Sequence, residues 1–308
     1  MKTAPDETAS EQRMAKHLAA IARLRDPFEN PGALAEVFGY VRAHLESLGL
    51  ACEAHRFTSA AHKDAIENIE RSRPLTHSGR TFENLLARRE GARAGLAPYV
   101  VGAHLDAVPG SPGADDNASG AAVMLEIAEL LKDGSPRHPV LFAGFNLEEY
   151  NMVGSQALAQ TYAREKRLLA GMFSLEMVGY VSHRKGSQDM PIFLRPFYPD
   201  TGDFIALVGN TKSKRLLEAV RGRFAEIEGL AVEALTLPLN GAFLPEARLS
   251  DHSPFWDAGY PALLVTDTSF FRNPHYHSPE DTVSTLDLAF MAKVARAMAR
   301  FLEDPGAA

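Results

Sequence analysis

Apolar positions along the chain recur with two periods, and the switching between them sets the expected architecture. Met14, Leu18, Ile21 and Leu24 are three and four apart, the stripe of an amphipathic helix over residues 11–25. Pro31 opens a second helix running to Leu48, with Leu34, Val37, Phe38, Val41 and Leu45 on one face and Gly49 as its stop. Residues 51–57 and 81–89 are candidate strands, separated by a polar, irregular stretch over 64–78. Tyr99, Val100 and Val101 begin a continuous apolar run over 98–103, the pattern of a strand buried on both faces. Similar runs over 139–145, 170–177, 204–209, 231–237 and 261–266 alternate with helical patterns over 118–132, 154–164, 212–224 and 286–302, and 252–256 is a candidate short helix. Such alternation predicts an α/β three-layer sandwich, a mostly parallel mixed central sheet with helices on both faces. No repeat or linker-like shift interrupts it, so residues 1–308 read as one catalytic domain. Within it, residues 1–10 read as disordered, and 184–203 and 238–250 as loops over the site.

Composition narrows the function. With 308 residues and 45% hydrophobic content, the chain can bury a sizeable core. A net charge of −7 argues against a nucleic-acid partner, and no apolar run is long enough to span a bilayer. The acidic N-terminus lacks the apolar centre of a signal peptide, so a cytoplasmic location is expected. Cys52 is the only cysteine, which excludes an intrachain disulfide and a thiolate metal site and leaves it a small buried apolar residue. Oligomeric state is not indicated.

The chemistry is concentrated at the ends of the apolar runs. His104, Asp106 and Asp116 follow the first, Glu148 and Glu149 the second, Glu176 ends the third, and His275-Tyr276-His277 follows the last. In a parallel sheet the C-terminal strand edges lie on one side, so these residues can converge. Imidazole and carboxylate without thiolate suit zinc. Several carboxylates on one short edge repel one another unless cations neutralise them, which favours two metals, roughly 3.5–4 Å apart in such sites.

The strings Gly-Ala-His104-Leu-Asp106, Gly-Ala-Asp-Asp116-Asn-Ala-Ser-Gly, Glu148-Glu149, Leu-Glu176-Met-Val-Gly-Tyr and His277-Ser-Pro-Glu-Asp281-Thr282 occur in order. Together they resemble the co-catalytic di-zinc aminopeptidases of the bacterial leucyl aminopeptidase type, a family that includes glutaminyl cyclases. The resemblance implies two zinc ions, peptide substrates and particular roles. His104 would bind one zinc, Glu149 and His277 the other, and Asp116 would bridge both. Glu176 stands where the family usually has Asp and would complete the His104 zinc. Glu148 would be the general base and Asp106 the acid that orients His104. Tyr276 is a candidate donor to the oxyanion. His275 competes with His277 as ligand, but Asp281-Thr282 fits the family only with His277.

Three other readings remain beside aminopeptidase action: glutaminyl cyclisation, hydrolysis of acyl-amino compounds, and a non-catalytic binding module. The cyclase relatives use a single zinc and lack the His104 ligand, which counts against the first. A complete ligand set counts against the last. His17, His44, His55, His62, His77, His138 and His183 read as ordinary structural or surface histidines. Asp115 and Asn117 read as loop-shaping residues. Asp251 is either a helix cap or a support for the site. Phe243, Leu244, Phe255, Trp256 and Tyr276 are candidates for an apolar substrate pocket, with ordinary packing the better reading for Phe255 and Trp256.

Overall fold

A computed structural model of the chain describes residues 7–58 and 79–306. The stretch expected to be irregular, 64–78, together with His62, His77 and residues 1–6, lies outside the described residues. In chain order the elements are α1 (Glu7–Ile21), α2 (Pro31–Ser47), β1 (Ala51–Thr58), β2 (Thr81–Arg89), β3 (Tyr99–His104), α3 (Gly120–Leu130), β4 (Val140–Phe145), α4 (Val153–Arg164) and β5 (Gly171–Glu176). They continue as β6 (Ser182–Lys185), β7 (Thr201–Gly202), β8 (Phe204–Asn210), α5 (Lys214–Ala225), β9 (Ala231–Leu237), α6 (Ser253–Asp257), β10 (Ala262–Thr266) and α7 (Leu288–Glu303).

Eight strands form one mixed sheet in the order β1-β2-β4-β3-β5-β10-β8-β9. Its centre, β4-β3-β5-β10, is parallel, because α3 and α4 carry the chain back across the sheet between successive strands. β2 runs antiparallel to β4 and β1 antiparallel to β2. β8 runs antiparallel to β10, and β9 is parallel to β8. β3 to β5 are buried throughout, which is why they read as unbroken apolar runs. Alternate side chains feed two cores: Tyr99, Val101 and Ala103 join α1, α2, α3, α5 and α7 on one face, while Val100 joins α4 and α6 on the other. Cys52 is half-buried beside the first core. No helix among the described residues is long and apolar enough to cross a membrane.

Two local expectations are corrected. α1 begins at Glu7 and ends at Ile21, so residues 7–10 are helical rather than disordered. The fully buried carboxylate of Glu126 on α3 accepts from Ser10 Oγ at 2.6 Å and from Arg13 Nε at 2.8 Å, which ties the first turns of α1 down. The helix ends at Ile21, short of residue 25, and Arg25 beyond it is fully buried. The second correction concerns residues 184–203, which begin in β6 and end just past β7, the two strands of a short ribbon, instead of lying as plain loop throughout.

Gly120, at the start of α3, is packed so closely that a Cβ would lie 2.3 Å from the carbonyl oxygen of Leu175. Gly222, inside α5, has open space around it. Gly120→Ala should therefore destabilise the fold by about 1–3 kcal/mol. Gly222→Ala should stabilise it by about 0.5–1 kcal/mol. Thermal midpoints of the two variants should move in opposite directions.

Candidate active site

His104 closes β3 at the edge of the sheet and is fully buried. Its Nε2 lies 3.1 Å from Asp116 Oδ1, 3.3 Å from Glu176 Oε1 and 3.9 Å from Glu148 Oε2. The other oxygen of Asp116, Oδ2, lies 3.1 Å from His277 Nε2, which is 3.2 Å from Glu149 Oε2. The donors thus sort into two groups, His104–Asp116–Glu176 and Asp116–Glu149–His277. Asp116 belongs to both and gives one oxygen to each. His275, the competing histidine, belongs to neither; its backbone N–H donates to Asn273 Oδ1.

Backbone amides hold these side chains in place. Asp281 accepts from the N–H of Asp115 at 2.8 Å and of Asp116 at 3.1 Å, which fixes the loop before α3. Asn117 donates to the Leu175 carbonyl and accepts from the N–H groups of Gly120 and Met177, stitching that loop to the end of β5. Asp115 accepts from the Gly179 N–H and from Asn273 Nδ2, a positioning role like that expected for it. Asp106 lies against His104, and its side chain also reaches the glutamate pair. Its carboxylate accepts from the N–H groups of Glu148 and Glu149 at 3.3 and 3.2 Å. His104 Nδ1 faces the Asp106 backbone carbonyl at 3.2 Å, with the carboxylate at 3.6 Å. One aspartate therefore braces the imidazole through its main chain and the glutamate pair through its side chain.

Two supporting groups, Arg25 and Ser250, carry no signal in the sequence, and Asp251, a candidate support for the site, is a third buried polar group beside it. Arg25 is buried, and its guanidinium donates to the carbonyls of Leu105, Pro112 and Gly113, on both sides of the Asp106 loop. Ser250 donates to Glu176 Oε2 at 2.8 Å and bonds Ser174, so only Oε1 of Glu176 is turned to His104. Asp251 is fully buried near the site but outside both donor groups, its carboxyl pushed up to about 8 chiefly by burial. No periodicity announces such long-range contacts.

The electrostatics suit cations. Burial raises the carboxyls of Glu148 and Glu176, and takes Glu149 to about 7. Burial works to lower His104 and His277, yet the surrounding carboxylates raise both, His277 to about 10. The site thus carries more negative charge than burial tolerates and holds protons to offset it. Glu149 Oε1 and His277 Nε2 are buried without a hydrogen-bond partner among the described residues. Histidine and carboxylate donors converging in this way fit divalent zinc, which would take the place of those protons.

A cleft of about 310 Å³ opens beside the donors. It is lined by Glu148, Glu149, Glu176, Tyr276 and His277, and beyond them by apolar residues including Leu194, Val208, Leu244 and Leu264. Parts of both segments expected over the site, 188–194 and 244–249, line it. Of the expected pocket residues, Leu244 and Tyr276 do so, whereas Phe243 is exposed and Phe255 and Trp256 are buried in the second core. Tyr276 stacks on His277, ring centroids 3.7 Å apart, and burial keeps its phenol protonated.

The sequence matches the model of peptidase family M28 over residues 84–302. It is 35% identical over 235 residues to the protein YfbL of Escherichia coli, covering 72% of this chain and 70% of that one. It is 33% identical over 190 residues to the aminopeptidase YwaD of Bacillus subtilis, covering 60% of this chain and 36% of that one. The chain spans about half the length of further curated relatives named as zinc metalloprotease and leucine aminopeptidase. The fold superposes on the zinc aminopeptidase BSAP of Bacillus subtilis with a TM-score of 0.67 at 18% identity, covering 100% of this chain and 98% of that one. A glutaminyl cyclase of Fimbriiglobus ruber superposes with a TM-score of 0.65 at 18% identity, covering 98% and 97%.

If Asp106 braces both donor groups, removing its charge should loosen both. Asp106→Asn should weaken zinc binding by about 10–100-fold, measured by competition with a chelator. Unchanged affinity for both ions would contradict the bracing role.

Proposed function

The chain belongs to peptidase family M28, and on that footing we propose that it is an aminopeptidase acting through two zinc ions. One observation carries the reading: the two oxygens of Asp116 face different donor groups, His104 with Glu176 and His277 with Glu149. A bridging carboxylate with one imidazole and one glutamate on each side is a full donor set for a pair of divalent ions. The complete His104 group favours this over single-metal glutaminyl cyclisation, despite the shared fold.

Zinc held by these residues would supply a lowered pKa for bound water and a Lewis acid for the carbonyl. Glu148 lines the cleft and stands 3.9 Å from His104 Nε2, outside both donor groups. Burial raises its carboxyl, which suits a group that takes a proton and returns it. It accepts the proton of the attacking water and passes it to the leaving amine as the C–N bond breaks. Tyr276, a protonated phenol on the wall of the cleft, donates a hydrogen bond to the developing oxyanion. Asp106, Asp281 and Asn117 do no chemistry; they keep the reacting groups from moving apart.

Metal analysis of the purified protein should give two zinc ions per chain, and chelation should abolish hydrolysis of leucine 4-nitroanilide. Glu148→Gln should lower kcat by about 10²–10⁴-fold with both ions retained; loss of metal would instead make Glu148 a ligand. Asp116→Ala should lose both ions. Turnover of N-acetylated substrates at the rate of the free amines would shift the reading to an acyl-amino hydrolase. Tyr276→Phe should lower kcat/KM, and an unchanged value would remove the tyrosine from the mechanism.

A further inference from the structure

The cleft continues well past the metal donors, and the register of the sheet sets its length. Glu176 of β5 pairs with Thr266 of β10, Thr266 with Ala206 of β8, and Ala206 with Glu233 of β9. Directly paired residues point to the same face, so this row places two glutamates on one surface, three strand spacings apart. At roughly 4.8 Å per spacing, their Cα atoms are about 14 Å apart. The neighbouring row on that face is Ser174, Leu264, Val208 and Leu235. Both Glu176 and Glu233 line the cleft, with Thr266, Ala206, Leu264, Val208 and Leu235 between and beside them. The floor is thus a small apolar track with a metal-site carboxylate at one end and a second carboxylate at the other.

The far carboxylate, Glu233, is partly buried and has no ion-pair partner among the described residues. Arg221, exposed on α5, acts on it across space, with no ion pair between them among the described residues. Of the other acids along the cleft away from the donors, Asp189 is bound by Arg195, and Glu246 is exposed to solvent, whereas Glu233 is set into the floor. No lysine or arginine lines the cleft among the described residues. A carboxylate on an apolar floor attracts a cation carried on an apolar stem, because the stem covers the floor while the charge reaches its partner.

Resting on the aminopeptidase reading, we propose that this cleft receives the side chain of the N-terminal residue and that Glu233 selects for lysine or arginine there. The four-carbon stem of lysine lies over Ala206, Val208 and Leu264, and its ammonium meets Glu233. Burial raises the Glu233 carboxyl, in keeping with a group set into the wall rather than free in solvent. The expected specificity is therefore for basic residues, with unbranched apolar residues as slower substrates.

The test compares lysine with norleucine, which has a similar stem without the charge. For the zinc-loaded protein, kcat/KM for the lysine 4-nitroanilide should exceed that for the norleucine compound by about two- to fivefold. In Glu233→Gln the ratio should fall to near one, and in the unchanged protein it should shrink as salt is raised. Calorimetric binding of lysinamide and norleucinamide should follow the same ratio and the same loss. A norleucine preference in the unchanged protein, or a Glu233→Gln ratio equal to it, overturns the proposal. Failure to hydrolyse any aminoacyl nitroanilide would overturn the aminopeptidase reading instead. The calorimetric ratio would still decide whether the cleft reads a cation.

Discussion

Everything in this fold answers to the repulsion between carboxylates buried around Asp116. Asp116, Glu148, Glu149 and Glu176 face the same small volume, with Asp106 and Asp251 close behind. Solvent cannot screen them, so the chain must supply the compensation. It does so mainly with peptide N–H groups: those of Glu148 and Glu149 serve Asp106, and those of Asp115 and Asp116 serve Asp281. One full positive charge, Arg25, is buried near them and acts on Asp116, Asp106, Glu149 and Asp281 across space while donating its hydrogens to carbonyls. Because its hydrogens are committed to the main chain, it steadies the site without occupying the place of a metal.

That compensation requires a rigid platform, and the parallel centre of the sheet provides one. β3, β4 and β5 are buried on both faces, and their C-terminal ends lie side by side. Short loops then have little freedom. Leu147 and His277 adopt left-handed backbone conformations with φ near 58° and 56°, a cost that surrounding contacts must outweigh. Each stands at or next to a residue of the carboxylate and histidine cluster: Leu147 comes just before Glu148, and His277 is itself a member.

The legible part of this site was the part written in local pattern. Buried strands read as apolar runs, and acids or histidines at their ends stand out because nothing in a core explains them; His104, Glu149 and Glu176 were visible on that ground. What joins those ends was not visible. Arg25 sits 80 residues from Leu105, whose carbonyl it caps, and Ser250 sits 74 residues from the Glu176 it steadies. Polar residues near a helix end or in a loop look alike whether solvated or buried. The start of α1 was misjudged for the same reason, since Ser10 and Arg13 are ordinary polar residues until Glu126 is placed beneath them. The ribbon β6–β7 is too short for periodicity to reveal.

The antiparallel step between β10 and β8 explains how the donor cluster and the apolar track to Glu233 come to share one cleft. In an all-parallel sheet, the segment entering β8 would lie at the opposite edge from the metal donors. Because β8 runs against β10, Phe204 and Ala206 at its beginning lie beside Thr266 at the end of β10, and β9 follows with Glu233. Residues 184–203, which lead into β8, are therefore delivered to the donor edge, where Gln188, Leu194 and Tyr198 line the cleft. The donors rest on the parallel centre, which tolerates little change, whereas the track to Glu233 rests on the outer strands. Altering Ala206, Val208 or Glu233 changes what fills the cleft without touching a hydrogen bond that holds Asp116. The two halves of the sheet are thus separable: the lining of the track can vary while the contacts that hold Asp116 stay fixed.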